Sequence, residues 1–172
     1  REGKVGRIAV PCSAEARQFR PARLVIILVK SWATDAAVRA CLPACDERTL
    51  VLTLQNGLGN WERIAGHLPA ERVLAGTSST GATLLAEGAV RLAGLGKARL
   101  GSPVGRLDRA QEAADLLNSG GVPAEAIVDL ESALWTKAVI NAAINPLTAL
   151  TGRPNGDMIA DPGLRRALEL VT

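Results

Sequence analysis

The sequence predicts an α/β fold: a doubly wound sheet, largely parallel, that gives way to the beginning of an all-helical segment. Three observations carry the prediction. Apolar runs of strand length alternate with helix-length segments through the first half of the chain, and that alternation implies crossover connections between parallel strands. The first of these runs, Leu24-Val-Ile-Ile-Leu-Val29, is apolar without interruption, the pattern of a strand covered on both faces. From Glu131 onward the spacing of apolar residues turns helical. The expected division is residues 1–130 for the sheet-forming part and 131–172 for the start of a helical domain.

Each element follows from local signals. Leu24 to Val29 should be a central strand. Thr34 to Leu42 reads as a helix, capped by Thr34 or Asp35 and ended by Pro43. Arg48 to Leu54 repeats the strand pattern, Gly59 to His67 the helix, and Val73 to Ser78 is a further strand. Ala89 to Leu95 and Ala98 to Gly101, separated by Gly96-Lys97, are expected to pair as a hairpin. Antiparallel strands at the margin of a parallel sheet are common in doubly wound domains. Leu107 to Leu117 is helical, Ser119 to Pro123 a connector, and Ala126 to Leu130 a short strand. Glu131 to Leu150 is the longest helix signal, Arg153-Pro-Asn155-Gly156 a turn, and Pro162 to Val171 another helix.

Composition narrows the function classes. With 172 residues and 48% hydrophobic content the chain can bury a substantial core. No apolar run approaches the ~20 residues that cross a bilayer, and no secretory signal pattern opens the sequence; no membrane partner and a cytoplasmic setting are expected. The net charge of +3 is scattered rather than clustered, and three Trp, one Phe and no Tyr offer no stacking platform for bases. A nucleic-acid partner is not expected. Cys12, Cys41 and Cys45 are odd in number and have no histidine near them, so they read as small buried hydrophobes rather than a disulfide framework or metal site. His67 is the only histidine, in an apparent loop before Pro69, which leaves histidine-based triads and metal clusters without a second member. The chain opens on Arg1 rather than methionine and stops abruptly at Thr172, as expected of a longer polypeptide cut at both ends.

The most informative segment is Trp135-Thr-Lys137-Ala-Val-Ile-Asn141-Ala-Ala-Ile-Asn145-Pro146-Leu-Thr148-Ala. In a helix each four-residue step turns about 400°, so Lys137, Asn141 and Asn145 form one slowly drifting stripe. A polar stripe is also what any amphipathic helix shows toward water. Two details favour a site. The flanking positions are almost all apolar, which predicts a buried helix, and asparagine is a poor helix former, costing about half a kcal/mol at each use. Buried amides and ammonium groups need partners, and a small substrate's carbonyl, hydroxyl or carboxylate could supply them.

Strand ends give the second cluster. Ligands of open α/β sheets bind beyond the carboxyl ends of strands. Lys30-Ser31-Trp32 follows the first run, Gln55-Asn56-Gly57-Leu58-Gly59 the second, and Gly76-Thr-Ser-Ser-Thr80-Gly81-Ala82 closes the third. The Asn-Gly-x-Gly turn lets backbone approach a ligand, though an ordinary tight connection has the same composition; Lys30 could equally be a solvated rim residue.

These blocks, in this order, resemble the ketopantoate reductase (2-dehydropantoate 2-reductase) family. The resemblance rests on Val29-Lys30-Ser31-Trp32, Gln55-Asn56-Gly57-Leu58-Gly59, Gly76-Thr-Ser-Ser with Gly81-Ala-Thr, Leu134-Trp135-Thr-Lys137-x3-Asn141-x3-Asn145-Pro146-Leu-Thr-Ala, and Pro154-Asn155-Gly156. It implies a Rossmann-type sheet and NADPH-dependent reduction of ketopantoate to pantoate, in pantothenate and coenzyme A synthesis. Lys137 would be the general acid and touch substrate; Asn141, Asn145 and Asn155 would bind the hydroxyl and carboxylate side of ketopantoate. Lys30, Asn56 and the backbone at Gly81 would face NADPH. No metal is implied, and a homodimer is possible. A G-x-G-x-x-G phosphate loop and the basic residue that selects the 2′-phosphate are expected before Arg1, and a late Ser and Glu of the site after Thr172, so the chain alone is expected to be inactive. Two alternatives stay open: a related 2-oxo or β-hydroxy acid dehydrogenase, and a non-catalytic NADP-binding regulator on the same scaffold.

Overall fold

A computed structural model describes residues 6–170. Among the described residues there are seven strands: β1 (Leu24–Ile27), β2 (Leu50–Thr53), β3 (Val73–Ser78), β4 (Gly81–Ala86), β5 (Ala89–Gly94), β6 (Ala98–Gly101) and β7 (Ala124–Ala126). Six α-helices accompany them: α1 (Thr34–Cys41), α2 (Asn60–Ala65), α3 (Leu107–Ser119), α4 (Leu130–Thr151), α5 (Asn155–Ala160) and α6 (Pro162–Glu169). The main sheet runs β1-β2-β3-β6-β7. β1, β2 and β3 are parallel, β6 is antiparallel to β3, and β7 is parallel to β6.

The period-2 geometry of β2 divides the core. Leu50 and Leu52 join Leu74, Leu100 and the alanine face of α3, where Ala110, Ala113 and Ala114 let helix and sheet approach closely. Val51 points the other way and packs with Val38 of α1, Ile64 of α2 and Val73. Each fully buried leucine or valine contributes about 1.5–3 kcal/mol. Helices on both faces are the doubly wound arrangement the sequence predicts.

Several local expectations are corrected. The Leu24–Val29 run is not central: β1 forms the sheet margin among the described residues, and Leu28 and Val29 lie beyond its last rung, exposed. The strand covered on both faces is β2. The expected hairpin of Ala89–Leu95 with Ala98–Gly101 does not form. β5 pairs with β4 through a turn at Glu87-Gly88, where Gly88 takes φ 72°, while β6 joins β3 in the main sheet. Only a glycine with positive φ fits such a tight turn, and Gly96, which looked like the turn residue, is not one of these. The short strand is Ala124–Ala126, because the chain turns at Asp129 to cap α4. α1 is capped by neither Thr34 nor Asp35: its N-cap is Ala33, and the Thr34 hydroxyl instead donates to the Ser31 carbonyl.

At the C-terminal end, Asn155 opens α5 where a turn was expected, and α6 covers Pro162–Glu169 of the last predicted helix, whose final residue, Val171, lies outside the described residues. No helix among the described residues is long and apolar enough to cross a membrane. Cys12 is exposed rather than buried, and Cys41 and Cys45 are half-buried thiols at the edge of the α1 core.

Candidate active site

Parallel register places the carboxyl ends of β1, β2 and β3 on one rim of the sheet. Lys30, Asn56 and Gly81 all follow these ends within a few residues, so the structure does bring the three expected cofactor-facing positions to the same rim. Lys30 and Asn56 are exposed there. Gly57 and Gly59 take φ 91° and 82°, and open space surrounds the position each Cβ would fill. The loop is held from beneath by Asn60, buried at the start of α2, whose side-chain amide donates to the carbonyls of Asn56 (3.2 Å) and Gly57 (3.4 Å).

Gln55 fastens this loop to its neighbour. Its side-chain Nε2 donates to the Val29 carbonyl (2.6 Å) and to Thr34 Oγ1 (2.9 Å), and Thr53 Oγ1 donates to its Oε1 (2.9 Å). Thr34 and Thr53 are buried, so these polar groups are satisfied by one another. Asn60, Thr53 and the side chain of Gln55 were not singled out in the sequence, and Thr34 was read only as a helix cap. The available signal was a run of hydrogen-bonding residues at strand ends whose neighbours are apolar.

Helix α4 brings the second group. Asp129 caps it by accepting from the Ser132 N–H (3.0 Å), and Gly152 ends it at φ 66°. α4 packs against β3 and β6, and Gly101 of β6 allows close approach: a Cβ there would lie 2.7 Å from that of Leu130. Two turns further along, Lys137 Nζ donates to the carbonyl of Ser78 (2.8 Å) at the end of β3. Burial pushes the Lys137 pKa below its ordinary 10.5, because a half-desolvated ammonium is disfavoured. Asn141 follows one turn on, half-buried, and Asn145 is exposed; neither side-chain amide has a hydrogen-bond partner among the described residues. Pro146 lacks an N–H, which leaves the Ala142 carbonyl without its helical donor beside these two amides.

The helix is less buried than the sequence suggested. Trp135 and Ile140 are 54% and 49% exposed, since α4 touches the sheet along one side and the short helices α5 and α6 along part of another. Asn155 sits exposed at the first position of α5 and is not hydrogen-bonded to the Lys137 stripe. No group of three or more His, Cys, Asp or Glu among the described residues could hold a metal ion. His67 pairs with Asp35 (Nε2 to Oδ1, 2.9 Å), a link between α1 and α2.

A sheet wound on both faces, with parallel strand ends on one rim and a helix-borne ammonium reaching it, defines a Rossmann-type α/β protein with a helical C-terminal part. Residues 2–105 match the model of Ketopantoate reductase PanE/ApbA and residues 129–172 that of its C-terminal part, and the chain belongs to this family. It is 40% identical over 149 residues to the 2-dehydropantoate 2-reductase of Halobacterium salinarum, covering 86% of this chain and 49% of that protein. It is 34% identical over 162 residues to the Archaeoglobus fulgidus 2-dehydropantoate 2-reductase, covering 94% and 53%. The crystal structure of 2-dehydropantoate 2-reductase from Geobacter metallireducens superposes with a TM-score of 0.79 at 32% identity, covering 89% of this chain and 51% of that one. The chain thus spans about half the length of the curated relatives it matches.

Proposed function

We propose that the full-length protein is an NADPH-dependent 2-dehydropantoate 2-reductase, reducing ketopantoate to pantoate with Lys137 as proton donor. The observation that carries this reading is the half-buried Lys137 ammonium, held 2.8 Å from the Ser78 carbonyl on the rim where the strand ends gather. Residues 1–130 would form the cofactor-binding part and 131–172 the start of the helical domain. The protein would act in the cytoplasm, without nucleic-acid or membrane partners, as a homodimer.

The rim fits a dinucleotide. Lys30 offers an exposed cation, and the left-handed glycines 57 and 59 leave backbone open to a phosphate or ribose. NADPH, when bound, supplies the hydride. Hydride arrival at C2 of a 2-oxo acid leaves negative charge on the former carbonyl oxygen. The Lys137 ammonium stabilises that charge and gives up its proton, which is worth about two to four orders of magnitude in rate. The unpartnered amides of Asn141 and Asn145 offer a donor and an acceptor each, which suits the hydroxyl and carboxylate of ketopantoate, and Asn155 would approach from α5.

The test is NADPH oxidation with ketopantoate, followed by loss of nicotinamide absorbance, for this chain and for the polypeptide extended to the family's full length. Turnover is expected from the extended protein and not from the chain alone. An extended protein that binds NADPH but leaves ketopantoate unreduced would transfer the reading to another 2-oxo acid or to a non-catalytic regulator.

A further inference from the structure

The backbone ladder between β1 and β2 ends at the pair Ile27 and Thr53. Beyond it the two chains run on without a rung to Lys30 and Asn56, and yet they stay joined, because the Gln55 side chain spans the gap. Its Nε2 donates to the carbonyl of Val29, the peptide group that leads directly into Lys30, and its own main chain leads into Asn56. The amide can sit only one way round. Rotating it by half a turn would set Oε1 against the Val29 carbonyl oxygen, two acceptors at contact, and would turn Oε1 away from the Thr53 hydroxyl that donates to it. Thr34 completes the chain of bonds by accepting from Nε2 and donating to the Ser31 carbonyl (2.9 Å).

We propose that Gln55 is a positioning residue for the cofactor: its side-chain amide acts as a substitute rung that fixes the spacing and peptide orientation of Lys30 and Asn56. This rests on the reading of that rim as the NADPH site. Gln55 need not touch the cofactor. It sets where the two residues that do are held, so its loss is read mainly in cofactor affinity.

The experiment is a fluorescence titration of NADPH into the full-length protein, with steady-state kinetics beside it, for wild type, Gln55→Met and Gln55→Glu. Methionine keeps the volume and removes every hydrogen bond; glutamate keeps the acceptor toward Thr53 and loses the donor toward Val29. Both are expected to weaken NADPH binding and raise its KM about tenfold, the scale of a lost hydrogen bond. kcat at saturating NADPH should stay within about twofold. A purely structural role would lower the melting temperature and leave the affinity of the folded variant alone. NADPH affinity within twofold of wild type in both folded variants overturns the assignment. If Gln55→Met does not fold, Thr53→Val carries the same test, since it removes the donor to Oε1 and with it one of the anchors of the bridging amide. Wild type that binds NADPH without reducing ketopantoate overturns the substrate reading alone, whereas wild type that binds no NADPH overturns both.

Discussion

Lys137 Nζ and the carbonyl oxygen of Ser78 lie 2.8 Å apart although 59 residues separate them in sequence. That single bond ties the helical part to the rim of the sheet, at the end of the strand leading to Gly81. A carbonyl accepts but cannot take the proton, so it holds the ammonium in place and in its charged form. Burial opposes it by favouring the neutral amine.

If Lys137 is the proton donor proposed, replacing it by alanine should lower kcat of the full-length protein by about two to four orders of magnitude. NADPH affinity should change little. The pH profile carries more information. A lysine that donates a proton must be charged, so kcat should fall as pH rises through its pKa, and that fall should come below the ordinary 10.5. The sign for stability is opposite. The folded state holds this proton less tightly than the unfolded chain, so between the two pKa values stability rises with pH. Steady-state rates and thermal melts across the alkaline range check both; a rate that is flat through the window would remove Lys137 from the acid role.

Gly101 sets how closely α4 approaches the sheet. An alanine there would place its Cβ 2.7 Å from that of Leu130 and 3.3 Å from the Ile127 carbonyl. Backbone or helix must move, at a cost of about 1–3 kcal/mol, the usual range for overpacking. Because Lys137 lies two turns along the same helix, Gly101→Ala should also lower turnover. Gly94→Ala is the control, with nothing within 4 Å and no positive φ. Chemical denaturation of the two variants separates them, and equal stabilities would mean that the sheet absorbs the added methyl.

How much of this was legible beforehand depended on whether a residue's role was local. The stripe of Lys137, Asn141 and Asn145 could be read because helical spacing alone puts them on one side. The strand ends bearing Lys30 and Asn56 could be read because apolar runs locate the strands. The environment of α4 could not, since exposure of Trp135 and Ile140 depends on which other elements cover the helix. Gly96 and Gly88 show the same limit at smaller scale. Gly96 was read as the hairpin turn and Gly88 was not, and the outcome was set by tertiary packing: a Cβ at Gly96 would run into the backbone of Ser79, where the Thr80 hydroxyl clasps the Gly96 main chain. The bonds of Gln55 and Asn60 were hidden for the same reason, because their partners are carbonyls and hydroxyls placed by the fold.

Asp129→Ala should shorten or fray the first turn of α4. Its carboxylate accepts from the Ser132 N–H at 3.0 Å, and removing such a cap costs about 0.5–2 kcal/mol. Since Lys137 is anchored independently at Ser78, the expected loss is in denaturation midpoint with kcat nearly retained. A large fall in kcat at unchanged stability would show instead that the first turn aims the lysine.

Asp35 gives the prediction most dependent on pH. Its carboxylate lies 2.9 Å from His67 Nε2 and 3.8 Å from Arg63 Nη1, and Arg63 also donates to the Ser31 carbonyl beside Lys30. The hydrogen bond with His67 is the largest cause holding the Asp35 pKa below its ordinary 3.8, and the charges of Arg63 and Arg39 act in the same direction against a partial burial cost. A carboxyl with a depressed folded-state pKa adds stability above the unfolded value, and that contribution is lost as pH falls through the folded value. Asp35→Asn should therefore melt lower than wild type at neutral pH, by a small margin because the group is exposed to solvent, and the gap should close in strong acid. Melting temperatures at neutral pH and on either side of the carboxylate range decide it. A gap of the same size at every pH would mean that the contact between α1 and α2 works through shape and hydrogen bonding alone, with no part played by the Asp35 charge.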